Sequence, residues 1–253
     1  MLRKLFAFEM KEMGRTLLPL CLAAVLLSVV LGISLSRMQM QPVVNAILVG
    51  LLFLVLFASA LATFVLVLTR FSRNLLGDEG YFMFSIPATT AQQIHAKGLA
   101  STLWTAMVGA TACVSGVLLV TLGMMPETRQ VMGPYLKILR RSIEEGTGRV
   151  MLSVCLLCLC WAAAVIYKFY AAMALGHVWR GHRRIGTILA LIGFEIVQSQ
   201  VSRLVFRFYP EIEDAMPATW STAILSYAAY MLVLAGIYSL VAWFLLDRKL
   251  NLE

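Results

Sequence analysis

The sequence predicts an all-α integral membrane protein, and three observations carry that prediction. Of 253 residues, 60% are hydrophobic and only 13% are charged, with a mean hydropathy of +0.84. A water-soluble fold of this length leaves too much surface in water to hide that apolar content. The apolar residues fall into six runs, each close to the roughly 20 residues that a spanning helix needs. These runs lack both the alternation and the short length, roughly ten residues, of barrel strands. The bilayer is therefore the expected solvent.

The spans are placed at 17–35, 43–68, 99–124, 150–175, 185–205 and 219–246. Ahead of them, residues 1–16 set Leu2, Leu5, Phe6 and Met10 on one helical face, with Arg3, Lys4, Lys11 and Glu12 mostly elsewhere. That is the pattern of an amphipathic helix lying at the membrane surface; the alternative is a solvated basic tail that only sets orientation. The first span is too long for the apolar core of a cleavable signal peptide, and no small-residue cleavage site follows it. The expected organisation is an interfacial helix at 1–16 and a six-helix transmembrane domain at 17–253.

Orientation follows from Lys and Arg near the span ends, which accumulate on the cytoplasmic side. With both chain ends cytoplasmic, the 21 basic residues divide 13 to 8 in favour of the cytoplasm. Arg70, Arg73 and Lys97 place the passage between spans two and three on that face. Five of the eight outer charges, Arg129, Lys137, Arg140, Arg141 and Arg149, belong to one segment, 125–149. There Val131, Tyr135, Ile138, Leu139 and Ile143 approximate a helical stripe, so the segment is expected to lie flat on the outer leaflet.

Catalytic and metal chemistry find little support. Cys21, Cys113, Cys155, Cys158 and Cys160 all fall within predicted spans. The CxxC formed by Cys155 and Cys158 lacks the second ligand pair of a zinc site. Glu144, Glu145 and Arg149 fit an EExxxR pattern resembling that of intramembrane CAAX-type metalloproteases. Such an enzyme needs histidines at membrane depth, whereas His95, His177 and His182 all lie in basic flanks. No Ser, Cys or Thr has an activating neighbour, and there is no GxxxxGK[ST] phosphate loop. No metal and no cofactor is expected on this chain, and any ATP it depends on is bound by another.

Polar residues at membrane depth are costly and often functional. Glu195 stands near the middle of the fifth span, with Gln198 and Ser199 on its helical face at i+3 and i+4; Asn45 and Thr63 mark the second. The Glu195 face lines either a translocation path or a subunit seam, or else fixes helix packing through hydrogen bonds. Lys168 is placed to snorkel towards the cytoplasmic end of the fourth span. The run His177 to Arg184, HVWRGHRR, is a basic turn facing anionic lipid, with contact to a cytoplasmic partner as its second reading.

The passage from Arg70 to Gly98 is mixed in character. Gly77-Asp78-Glu79-Gly80 signals a turn or helix start, and Tyr81, Phe82, Met83 and Phe84 supply apolar surface that a free loop would not keep exposed. Pro87 breaks any helix. Thr90 and Gln93 then fit the T-x-x-Q box that caps a fresh helix running through Lys97 into the third span.

With FEMKEMGRTLLPL at its start, RFSRNLLGDEGYFMFSIPATTAQQIHAKGLAS between spans two and three, and six spans in 253 residues, the chain resembles the permease subunits of ABC-2 type exporters of Gram-positive gut bacteria. The resemblance covers nearly the whole chain, and LLGDEGYFMFSIP is its specific part. It implies an N-terminal connecting helix, a cytoplasmic coupling helix between spans two and three, and a permease dimer, homomeric or heteromeric, that forms the pathway. It also implies a separate ATP-binding subunit that carries ATP and Mg. On that reading Leu75, Gly77, Asp78, Glu79, Gly80, Tyr81, Phe82 and Phe84 couple to the motor, while Thr90, Gln93 and Lys97 lie on the lever helix. The substrate is expected to be hydrophobic or amphipathic. A different class, a non-transporting scaffold or sensor that recruits a cytoplasmic protein, fits the same loop.

The topology is testable with single cysteines in a cysteine-free background. A membrane-impermeant maleimide should label Lys137→Cys on intact cells and Asp78→Cys only after permeabilisation; the reverse pattern would invert the orientation.

Overall fold

The computed structural model describes residues 1–37, 42–76, 89–123, 148–178, 182–207 and 217–248. The elements among them are six α-helices: α1 (Leu2–Arg37), α2 (Pro42–Leu76), α3 (Thr90–Gly123), α4 (Gly148–Val178), α5 (Arg183–Arg207) and α6 (Pro217–Arg248). All six are long and apolar enough to cross a membrane, the architecture of an all-α multi-pass membrane protein. Large apolar side chains point away from the protein along these helices, Phe53 and Leu152 among them at 71% and 73% exposed. Surface of that kind associates in water, whereas in a bilayer it is the lipid-facing wall.

The helices reach past the apolar runs. Leu2–Arg37 is one continuous helix with Pro19 inside it, so the amphipathic stretch 1–16 and the first span belong to the same helix. A proline removes one backbone hydrogen bond and crowds the preceding turn. Here Glu9, Met13, Leu17, Ala24, Ser28 and Leu31 are all buried, and their spacing of three, four or seven residues makes a single stripe along one face. Because that stripe runs through residue 16 without a change of phase, packing favours one helix over two. α2 likewise extends beyond residue 68 to Leu76, and α3 begins at Thr90, ahead of the apolar run that starts at 99.

The chain forms two compact units, one of Met1–Glu9, Val67–Thr102 and Arg149–Glu253, the other of Met10–Leu66 and Leu103–Gly148. In the first, the start of α3 meets the end of α6, where Thr90 Oγ1 donates to Asp247 Oδ1 at 3.4 Å. The start of α1 meets the end of α2 and the start of α3 through Glu9, Arg70 and Lys97. The two terminal helices thus bring their outer ends to the same end of this unit, as an even number of crossings requires. In the second unit α1 and α3 run parallel: Trp104 Nε1 donates to the Met10 carbonyl at 3.1 Å, and farther along Gly32 lies against Leu122. Ser34 Oγ donates to Asn45 Oδ1 at 2.7 Å, tying α1 to α2.

Gly98 is one of the glycines that a close approach requires. A Cβ at Gly98 would overlap the ring of Tyr167, so the absent side chain lets α4 lay an aromatic ring on the α3 backbone. Gly98→Leu should therefore lower stability by about 1–3 kcal/mol through overpacking. Gly109, where a Cβ meets nothing within 4 Å, supplies the control. Thermal unfolding in detergent should show a clear loss for Gly98→Leu and none for Gly109→Ala.

Candidate functional site

The most constrained chemistry lies where three helices project beyond their apolar runs. Thr89 caps α3: its Oγ1 accepts from the Gln92 backbone N–H at 3.3 Å, and its carbonyl accepts from Gln93 N–H at 3.1 Å. The cap thus lies one residue before the Thr90–Gln93 box expected from the sequence. Thr89-Thr90 and Gln92-Gln93 are doublets, so the T-x-x-Q pattern fits in two registers; the backbone adopts the earlier one.

Two turns into α3, Lys97 Nζ donates to Glu9 Oε1. Arg70 Nη1, from the last turns of α2, donates to the other oxygen, Oε2, at 3.0 Å. The Glu9 and Lys97 side chains are 5% and 4% exposed, and that of Arg70 is 20% exposed. One carboxylate therefore joins two cations from two other helices.

An aromatic layer stands beside it. Phe71, next to Arg70, stacks on Tyr170 with ring centroids 3.9 Å apart and 12° between planes. Tyr170 is fully buried, and its hydroxyl lies 3.0 Å from Ser101 Oγ, one helical turn beyond Lys97. Tyr167, one turn before Tyr170, reaches His95 Nδ1 at 3.2 Å. Parts of α1, α2, α3 and α4 are thereby held by a charged layer and an aromatic layer in contact.

A second polar cluster lies among α4, α5 and α6. Lys168 Nζ donates to Glu195 Oε2 at 2.5 Å and to Gln198 Oε1 at 3.2 Å, and Tyr238 Oη donates to the same Gln198 oxygen at 3.2 Å. The Lys168 side chain is 12% exposed and that of Glu195 67%. At 1.5 Å per residue, Glu195 stands about 18 Å along α5 from Arg183, near the middle of a hydrocarbon core about 30 Å thick.

The residues singled out in the sequence are distributed as follows. Leu75 is fully buried and anchors the end of α2. Gly77, Asp78, Glu79, Gly80, Tyr81, Phe82 and Phe84 lie outside the described residues, as does 125–147 of the expected outer-leaflet segment. Thr90 sits at the rim against Asp247, Gln93 is buried, and Lys97 belongs to the charged cluster. Glu195 and Gln198 come together through Lys168, but Ser199 Oγ donates back to the Ile196 carbonyl at 2.8 Å. Ser59 and Thr63 likewise bond to backbone carbonyls of their own helix.

Glu9 and Tyr170 are the residues that sequence reasoning missed. The signal for Glu9 was present: it falls on the face of Leu2, Leu5 and Phe6, and an acid on the apolar face of an amphipathic helix needs a buried cation. Tyr170 carried no comparable signal, because an aromatic residue near a span end is ordinary. No protein-family model, curated protein or solved structure matches the chain. Among the described residues the arrangement offers no nucleophile paired with a base. What it can do is hold two helix ends, those on either side of residues 77–88, at a fixed spacing against a third.

Breaking a buried pair leaves an uncompensated charge, which costs about 3–5 kcal/mol. Glu9→Ala should lower thermal stability in detergent by that order, and Glu9→Leu combined with Lys97→Met should recover most of the loss. Equal stability of Glu9→Ala and the unsubstituted protein would show that the junction contributes nothing.

Proposed function

We propose that the chain is the permease subunit of an ATP-driven ABC-2 type exporter, residing in the cell membrane with both ends in the cytoplasm. It pairs with a second permease to form the pathway and couples to a separate subunit that binds ATP and Mg. The substrate class is hydrophobic or amphipathic, in keeping with the apolar walls. The observation that supports this reading best is the Glu9 junction. Residues 77–88 are carried between the end of α2 and the start of α3, and those two ends are braced by one buried carboxylate and by Phe71 stacked on Tyr170.

A segment carried on such a base can pass force to the helices instead of absorbing it. In the proposed cycle Asp78 and Glu79 pair with basic residues of the motor, and Tyr81, Phe82 and Phe84 fill an apolar groove on it. Leu75 seats the segment in the core, and movement enters the membrane along α3 through Thr90, Gln93 and Lys97. Only contacts that differ between the ATP-bound and ATP-free motor shift the permease.

The test is co-expression with candidate ATP-binding subunits from the same genome. The motor should co-purify with the unsubstituted chain and hydrolyse ATP faster in its presence, and Asp78→Lys combined with Glu79→Lys should abolish both effects. A motor that binds and responds equally to the double variant would exclude this docking site. Binding without any change in ATP turnover would indicate the scaffold instead.

A further inference from the structure

The α4–α5 corner combines two features that the permease reading does not use. At the start of α5, His182, Arg183, Arg184 and Ile185 line an open cleft of about 450 Å³. His182, Arg183 and Arg184 are exposed, and no ion pair among the described residues involves them. Arg183 Nη1 lies 3.4 Å from His177 Nε2 on α4, so basic groups from both helices gather at one place.

A second cavity, a groove of about 390 Å³, begins at the next residue along α5 and is lined by Leu175 of α4 and by Gly186, Leu189, Ala190, Gly193 and Val197. Near the start of α5, Gly176 of α4 lies against Thr187. Deeper, Gly193 faces open space, since a Cβ there would meet nothing within 4 Å. From Gly186 to Val197 the groove extends about 16 Å, the depth of one leaflet of the hydrocarbon core.

We propose that this corner is a binding site for one anionic phospholipid, with the phosphate against Arg183, Arg184 and His182 and an acyl chain along the groove floored by Gly186, Ala190 and Gly193. Charge complementarity selects the ligand. A zwitterionic lipid fills the groove but gains less at the cationic mouth, and a free phosphate gains the mouth but leaves the groove unused. The wider groove of about 510 Å³ between α4 and α6 has a single cation, Arg149, among its lining residues, and lacks this pairing of charge with depth. The site is independent of the motor-docking segment and stands or falls without it.

The experiment is native mass spectrometry of the full-length protein, released from detergent with equal amounts of dioleoyl phosphatidylglycerol and dioleoyl phosphatidylcholine. The protein should retain the phosphatidylglycerol preferentially. Arg183→Gln combined with Arg184→Gln should reduce that preference by about fivefold for each charge removed. Gly193→Phe, which fills open space and suits a helix interior better than glycine, should reduce retention of the same lipid while leaving the charges in place. Unchanged retention in the arginine variant, or in Gly193→Phe, would overturn the proposal. Displacement of the lipid by millimolar inorganic phosphate would overturn it too, by showing a free-anion site. The two variants fail independently, so misfolding of one leaves the other decisive.

Discussion

The carboxylate of Glu9, buried between the ammonium of Lys97 and the guanidinium of Arg70, is the constraint on which the charged end of the first unit depends. Removing ions from water costs several kcal/mol each, and only close, hydrogen-bonded partners offset it. Both oxygens of Glu9 are engaged by cations, one from α2 and one from α3. A buried carboxylate held from two sides in this way restrains the spacing of those helices, because moving either cation away leaves charge uncompensated. Phe71 and Tyr170 extend the junction to α4, since the ring stacked on Tyr170 is carried by the residue next to Arg70.

The protein handles charge differently at membrane depth. Lys168 and Glu195 lie within apolar helices, where an ionised side chain costs about 2.5–3.5 kcal/mol on insertion. Lys168 is largely covered and bonds to both Glu195 and Gln198, whereas Glu195 is mostly exposed. Its helix is also the least covered, with 6% of its apolar window buried. Most of the hydroxyls follow a third course: those of Ser28, Ser59, Thr63, Thr111 and Ser153 donate to carbonyls three or four residues back on their own helices. A donor with no water nearby is thus satisfied without a neighbouring helix.

Much of the fold was legible before any coordinates, for a plain reason. Lipid offers no hydrogen bonds, so a long apolar run has essentially one available conformation, and the six runs became six helices. Helix ends were less legible, because they depend on backbone capping and on packing outside the apolar core. The doubled Thr and Gln at the start of α3 fitted two caps, and the amphipathic opening looked separable from the first span until the buried stripe from Glu9 to Leu31 joined them. At the candidate site, Arg70 was visible only as an orientation marker, Lys97 as an orientation marker on the expected lever helix, and Lys168 only as a snorkelling end residue. Their acidic partners are distant in sequence, 61 residues for Arg70 and 88 for Lys97, and no local periodicity encodes such pairing.

By itself, then, the sequence determined the solvent and the approximate positions of the six long apolar helices among the described residues, because hydrophobic length is a local property that the bilayer reads directly. Only the tertiary structure decided that Glu9 is the hub of the junction, that Glu195 belongs to Lys168, and that Gly98 exists to admit Tyr167. Each of those depends on which helix faces meet. That outcome is set by the packing of whole surfaces and by the demand that every buried charge find its partner, neither of which is written in any one stretch of chain.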